Sequence, residues 1–445
     1  MGIGKVVGIL LVVAIVGYFV FWGVIGTGPS NPGGPEGPEG PETPDVPEIV
    51  VGGTPITTFD ELDAMDSSSD YYLANDIAIT GTWVSKDFSG KLVGCGYTIS
   101  GLKVPLFSNL SGMVDALKLD VSIGGHGVAA VAKNNTGVIT KVIVSGSIST
   151  SGIDVCGGIV ATNSGKIIES KNNAVITGTA PVGGIAGIHM AGEIAYCINN
   201  ANLKSSGMIG GVVGEISGDG VQHCTNKGDL NTTGDYAGGV AGYIHDANTS
   251  GNKNEGDVTS IADYVGGEAG YAVRSNADGF DISNIKVSGR NYVGGAVGYA
   301  KVATVDDCVS KADVTGSSYV GGLFGYLSGS AEGCTSTGTV SASGYSVGGI
   351  AGFVGGNVSY SENHGDILSK GFDDDGVSHV GGIAGSVKNV FNCTNAGDVE
   401  SNSVGNRVGG IAGYILASQD CSNITNTGFV KSKGDYVGGL FGYVD

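Results

Sequence analysis

The chain has 445 residues, of which 83 are glycine and 10 are proline, so glycine makes up about 19 per cent where an ordinary protein has roughly 7. So little proline excludes a collagen-like repeat, and 41% apolar with 14% charged residues excludes a disordered, highly charged chain. Forty-two acids against 22 bases give a net charge of -20, which repels nucleic acid and anionic lipid surfaces, so no nucleic-acid partner is expected.

In chain order, residues 6–25 read VVGILLVVAIVGYFVFWGVI without a charge, long enough to cross about 30 Å of hydrocarbon. Lys5 precedes this run, while the first charges after it are Glu36, Glu39 and Glu42. That bias places the N-terminus in the cytoplasm and all that follows outside the cell. Residues 1–27 are therefore expected to be an uncleaved, single-pass signal-anchor. Residues 28–50 hold seven of the ten prolines with glycine and glutamate, the composition of an extended linker. Residues 51–90 are expected to cap the folded part. Thr58, Phe59, Asp60 and Glu61 match a capping box, predicting a short helix over residues 59–65.

Residues 91–445 are repetitive. G-G-x-x-G begins at Gly183, Gly210, Gly238, Gly266, Gly294, Gly321, Gly348, Gly381, Gly409 and Gly438, in steps of 27, 28, 28, 28, 27, 27, 33, 28 and 29 residues. Degenerate copies near Pro105, Ala129 and Gly157 extend the series upstream. Between these phrases run CTNKGDL, NKNEGDV, CTSTGTV and CTNAGDV, short Val, Ile and Leu runs separated by Gly, Asn, Asp and Ser. Those are strands and turns, and no window sustains a helical period. Such a unit buries its apolar face only by stacking on copies of itself. The expected fold is all-β: a right-handed parallel β-helix of about 13 coils, right-handed by the crossover preference. A propeller blade needs roughly 40 to 50 residues, too many for this period. Glycine is expected to serve as corner chemistry, and the single long step marks an excursion over residues 369–379.

YYLANDIAITGTW, FSGKLVGCGYTISGL and VPLFSNLSG followed by serial VGGIAGY phrases resemble the GLUG-motif repeat surface proteins, whose repeats also occur beside immunoglobulin A peptidase domains. The resemblance implies a β-helix on a secreted or surface protein. It departs at Val93, where the family lead-in often carries an acid. The peptidase chemistry does not carry over, because the chain has no H-E-x-x-H motif.

Candidate sites follow from stacking the period. Cys197 with Cys224, and Cys308 with Cys334, fall on consecutive coils about 4.8 Å apart, open either to disulfides or to a buried thiol ladder. Tyr236, Tyr264, Tyr292 and Tyr319 form one column, and Tyr243, Tyr271, Tyr299 and Tyr326 another. Exposed, they would be stacking platforms for sugar rings; half-buried, they would stabilise the stack. Asp373, Asp374 and Asp375 in the excursion are a weak calcium candidate, or a solvated acidic loop. Asp229, Asp257, Asp366 and Asp398 read as an acidic stripe serving solubility. Gly344 to Gly348 match G-x-S-x-G outside any nucleophile-elbow setting, and no cofactor is expected.

The expected function is a membrane-anchored extracellular repeat protein, structural or adhesive and non-catalytic, binding a glycan or a surface protein. The last coil, ending without a visible cap, is expected to allow end-to-end self-association. The alternatives are a polysaccharide lyase or hydrolase on a β-helix, and a pilin-like filament subunit.

Overall fold

The computed structural model describes residues 52–445, apart from 127, 153, 180, 219, 276–278, 303, 371–376, 403–405 and 417–420. These belong to one unit, Val46–Asp445, distinct from Met1–Asp45. The expected anchor (1–27), the linker (28–50) and Asp373, Asp374 and Asp375 lie outside the described residues. Among the described residues no helix is long and apolar enough to cross a membrane.

The architecture is an all-β parallel solenoid of about 12 turns, near the 13 expected from the glycine phrases. One turn shows how the sequence lays it down. Ala237–Gly238, Ala241–His245, Thr249–Ser250, Lys253–Asn254 and Val258–Ser260 are successive short strands. Each pairs in parallel, in register, with its counterpart one period earlier, as Ala237 does with Ile209 and Asn254 with Asn226. The glycine phrases open an 11-stranded sheet running from Cys156–Gly157 to Tyr436–Gly438. The strands that follow form a second sheet, from Lys86–Phe88 to Phe441–Val444. Backbone bonds rise from turn to turn, as from Val212 N to Val240 O at 3.0 Å and from Leu323 N to Ile350 O at 3.0 Å. Inward Val, Ile, Leu and Ala side chains form one continuous core.

The N-terminal end is closed. Phe59–Asp63 is helical, with Thr58 and Glu61 making both bonds of the capping box. Leu62 is fully buried, and Phe59 packs against the core. The first turn begins inside the stretch read as a cap, since Tyr71–Leu73, Ile77–Ala78 and Lys86–Phe88 already pair with later turns. At the other end the last turn is open, with Phe429 80%, Tyr436 50% and Val437 47% exposed.

Glycine fills the expected corners only in part: Gly251, Gly279 and Gly333 take the left-handed conformation at φ 62, 66 and 63°, while other residues take the rest of that column. Cys95, Ala116, Lys141, Glu169, Tyr196, His223, Asp307, Tyr360, Asn392 and Asn423 occupy one corner column with φ between 48 and 54°. Non-glycine residues therefore accept the left-handed backbone there, at a cost of about 1 kcal/mol each. The corner amides still bond the next turn, as His223 N does to Ser250 O at 2.9 Å. The paired glycines are instead needed for close approach. A Cβ on Gly238 would overlap the carbonyl oxygen of Ala241, and one on Gly211 would overlap the amide of Asn226.

That second glycine makes room for a buried asparagine column. Asn172, Asn199, Asn226 and Asn254 are fully buried. Each Nδ2 donates to Oδ1 of the next, at 2.8, 2.7 and 2.8 Å. Each Nδ2 also reaches a carbonyl two residues on, as Asn226 does to Gly228 O at 2.8 Å. The column lapses at Ile282, Ser310 and Ser336 and resumes at Asn363, Asn395 and Asn426.

Candidate functional site

The glycine phrase places two tyrosines per turn on one face: one just before the first sheet, one within the second. Tyr236, Tyr264, Tyr292 and Tyr319 stack with centroids 5.0, 5.0 and 4.9 Å apart and planes within 6°. Tyr243, Tyr271, Tyr299, Tyr326 and Phe353 stack at 5.4, 4.7, 4.6 and 4.6 Å. The columns interlock edge to face, as Tyr264 does with Tyr271 at 5.3 Å and 76°. All these rings are half-buried.

Half-buried rings match the stack-stabilising alternative, and the geometry limits the sugar-stacking one. A sugar ring needs a free aromatic face, yet both faces of Tyr264, Tyr292, Tyr271, Tyr299 and Tyr326 already meet neighbouring rings. What the interior of the columns presents is ring edges and hydroxyls. Burial raises the phenol pKa of Tyr236, Tyr264, Tyr271 and Tyr292, and takes Tyr299 to about 12. The hydroxyls therefore stay protonated and available as donors.

Beyond Tyr319 and Phe353 the aromatic columns give way to Ser346 and Ser386, in register with them. Ser346 Oγ lies 3.0 Å from Ser386 Oγ, which lies 2.7 Å from His379 Nδ1. Ser346 is the serine of the G-x-S-x-G match, but this chain of contacts is not a nucleophile with its base. Both serines are buried, and Arg407 Nη1 sits 3.3 Å from His379 Nε2. Burial and the Arg407 cation lower the His379 pKa to about 4. The imidazole is therefore neutral, with Nδ1–H donating to Ser386 and Nε2 accepting from Arg407, and it is a poor proton acceptor.

The cysteines divide by environment. Cys197, Cys224, Cys308 and Cys334 are buried free thiols, brought together in the expected pairs, Cys224 beside Cys197 and Cys308 beside Cys334. Burial pushes the Cys197 thiol well up, whereas the neighbouring Cys308 draws Cys334 down. Cys156 rises to about 12 and Cys393 to about 11, each through burial. Among the described residues no group of three or more His, Cys, Asp or Glu side chains is placed to hold a metal ion.

Two features go beyond the sequence reading, the first a role for the acidic stripe other than the solubility expected of it. The acidic stripe ties the turns together: Asp229 Oδ1 accepts from Asp257 N at 3.1 Å, Asp257 from Lys286 N at 2.8 Å, and Asp398 from Phe429 N at 2.8 Å. The G-D pairing in the repeat was the available signal. The other feature is a pair of recesses near the N-terminal cap, of about 460 and 490 Å³, which share Trp83 and Ser85. Trp83 is buried there, with Nε1 donating to Leu106 O at 3.0 Å and the Lys86 ammonium 5.1 Å from its ring.

No protein-family model matches the chain. Over 71 residues, 15% of its length, it is 46% identical to halomucin of Haloquadratum walsbyi (strain DSM 16790 / HBSQ001), and it spans 1% of that protein. Among solved structures it is similar to a putative immunoglobulin A1 protease from Bacteroides ovatus, 19% identical over 46% of this chain and 76% of that one, with a TM-score of 0.39. It is also similar to an IgA1 protease, 20% identical over 58% of this chain and 20% of that one, with a TM-score of 0.41.

Proposed function

We propose that this chain is a cell-surface repeat protein whose solenoid is a non-catalytic structural and adhesive module. Its tyrosine face meets an extracellular glycan or surface protein. Residues 1–27 anchor it in the cell membrane with the N-terminus cytoplasmic, residues 28–50 hold the solenoid away from the bilayer, and the open last turn supports end-to-end association.

The observation that carries this reading is the interlocked tyrosine ribbon. Tyrosine offers a large amphipathic contact at low entropic cost, and stacking at 4.6 to 5.4 Å has already immobilised these rings before any partner arrives. The ribbon binds through edges and hydroxyls, so it suits a partner rich in hydroxyls or amides.

The test uses the full chain on a glycan array and against extracellular proteins, beside a Tyr264→Phe, Tyr292→Phe, Tyr299→Phe variant. That variant keeps every stack and removes only hydroxyls. At about 1 kcal/mol for each lost hydrogen bond, the expected result is binding without product release, weakened at least tenfold in the variant. Oligosaccharide release by the wild-type chain, or binding indifferent to the three hydroxyls, contradicts the reading.

A further inference from the structure

The chain has three arginines, Arg274, Arg290 and Arg407, and two of them are matched by acids. Arg274 pairs with Asp246, and Arg290 Nε donates to Asp263 Oδ1 at 2.7 Å. Arg407 has no carboxylate within ion-pairing distance among the described residues, although the chain carries a net charge of -20. Its guanidinium lies over two rings instead, 4.7 Å from the centroid of Tyr414 and 4.2 Å from that of Tyr443. One N–H is spent on His379, and Nε is buried with no partner. The nearby Asp445 carboxylate accepts from the Tyr414 hydroxyl at 2.9 Å.

The register sharpens the anomaly. Arg407 lies between His379 and Tyr436 in the column that carries tyrosine in other turns. A tyrosine there would give the edge-to-face packing that Tyr436 makes with Tyr443 at 5.6 Å and 89°. The chain instead holds a guanidinium flat against aromatic faces, with no carboxylate in ion-pairing distance among the described residues. A guanidinium fixed in this way matches the planar geometry of a carboxylate, and the surrounding phenols suit a hydroxylated ring.

We propose that Arg407, positioned by Tyr414, Tyr443 and His379, is an anion subsite on the tyrosine face that takes the carboxylate of a uronic-acid sugar. This rests on the reading of that face as glycan-binding. Arg407 supplies the charged fork, His379 fixes its orientation by accepting one N–H, and the tyrosine rings hold it in place.

The experiment titrates D-glucuronate, D-glucose and a glutamate-containing peptide into the full chain and follows the imidazole resonance of His379, assigned by its loss in His379→Gln. Glucuronate is expected to shift it saturably while glucose does not. Arg407→Gln is expected to weaken the response at least tenfold, with Arg407→Lys intermediate because it keeps the charge without the fork. Arg407→Tyr, which carries the residue found in register at 436, serves as the folded control and is expected to lose the response. A His379 signal unmoved by glucuronate overturns the subsite, and tighter saturation by the peptide overturns the sugar assignment. Neutral glycans that still bind the ribbon while His379 stays unmoved remove the subsite alone, so its failure is separable from failure of the wider reading.

Discussion

Glu268 occupies the inward position that Ile185, Val212, Val240, Ala296 and Leu323 fill in other turns, and it is 2% exposed. Burial pushes its carboxyl up to about 8, above the ordinary unfolded value near 4.5, so the folded protein prefers it protonated. Its contribution is therefore intact below about pH 4.5, falls as pH rises toward 8, and levels off above that. At roughly 1.4 kcal/mol per unit the loss is on the order of 5 kcal/mol. Glu268→Val should flatten this dependence and raise the melting temperature most at pH 9; parallel wild-type and variant melts from pH 5 to 9 would count against it. The glutamate was visible in GGEAG, where every other copy of the phrase carries Ile, Val, Ala or Leu, so aligning the repeats already marks an inward position, and the structure adds how completely the carboxyl is buried. The cysteines extend the residue-scale account. Spacing alone put Cys197 beside Cys224 but left their oxidation state open. As free, buried thiols they should resist a maleimide in the native protein, while the exposed Cys95 labels; rapid native labelling of Cys197 would contradict that burial.

At the scale of the elements, short strands and their period were legible, because Val and Ile runs bounded by Gly and Asn recur every 27 to 29 residues with one longer step. The asparagine column was not. N-x-G reads locally as a turn, and it is one, but the side chain that closes the turn also points inward and bonds its counterpart in the next. Asn226 joins Asn199 to Asn254 and closes its own turn through Gly228. Asn226→Ala leaves several buried polar groups unpaired and should cost about 3 kcal/mol or more in chemical denaturation. Asn226→Ser should cost less, since Ser310 and Ser336 stand in this column. Equal losses for the two variants would refute the ladder's contribution. The tyrosine columns were legible as columns, with exposed platforms and a half-buried, stabilising stack both left open, and the rings are half-buried and stacked. Sequence spacing sets which rings are neighbours, while backbone rise sets whether their faces remain free.

At the scale of the whole molecule, a solenoid's stability is approximately a sum of neighbour terms, so its two ends should behave differently. The N-terminal end is covered by Phe59–Asp63, whereas the last turn leaves Phe429 and Tyr436 exposed. Amide exchange should therefore be fastest in Val430–Ser432 and Tyr436–Gly438 and slowest in the middle turns; uniform protection along the stack would argue against neighbour-by-neighbour stability. Glycine abundance pointed correctly to tight stacking, while the corners went mostly to other residues, with glycine at 251, 279 and 333, because a corner needs only φ and close approach needs the absence of Cβ. The central claim is that this stack presents a rigid tyrosine face for binding rather than chemistry. Its most direct measurement is an array of glycans and extracellular proteins probed with the full chain and the Tyr264→Phe, Tyr292→Phe, Tyr299→Phe variant, with released products analysed in parallel. The account predicts retention without products and at least tenfold weaker retention by the variant. Released oligosaccharide, or equal retention by both proteins, would contradict it.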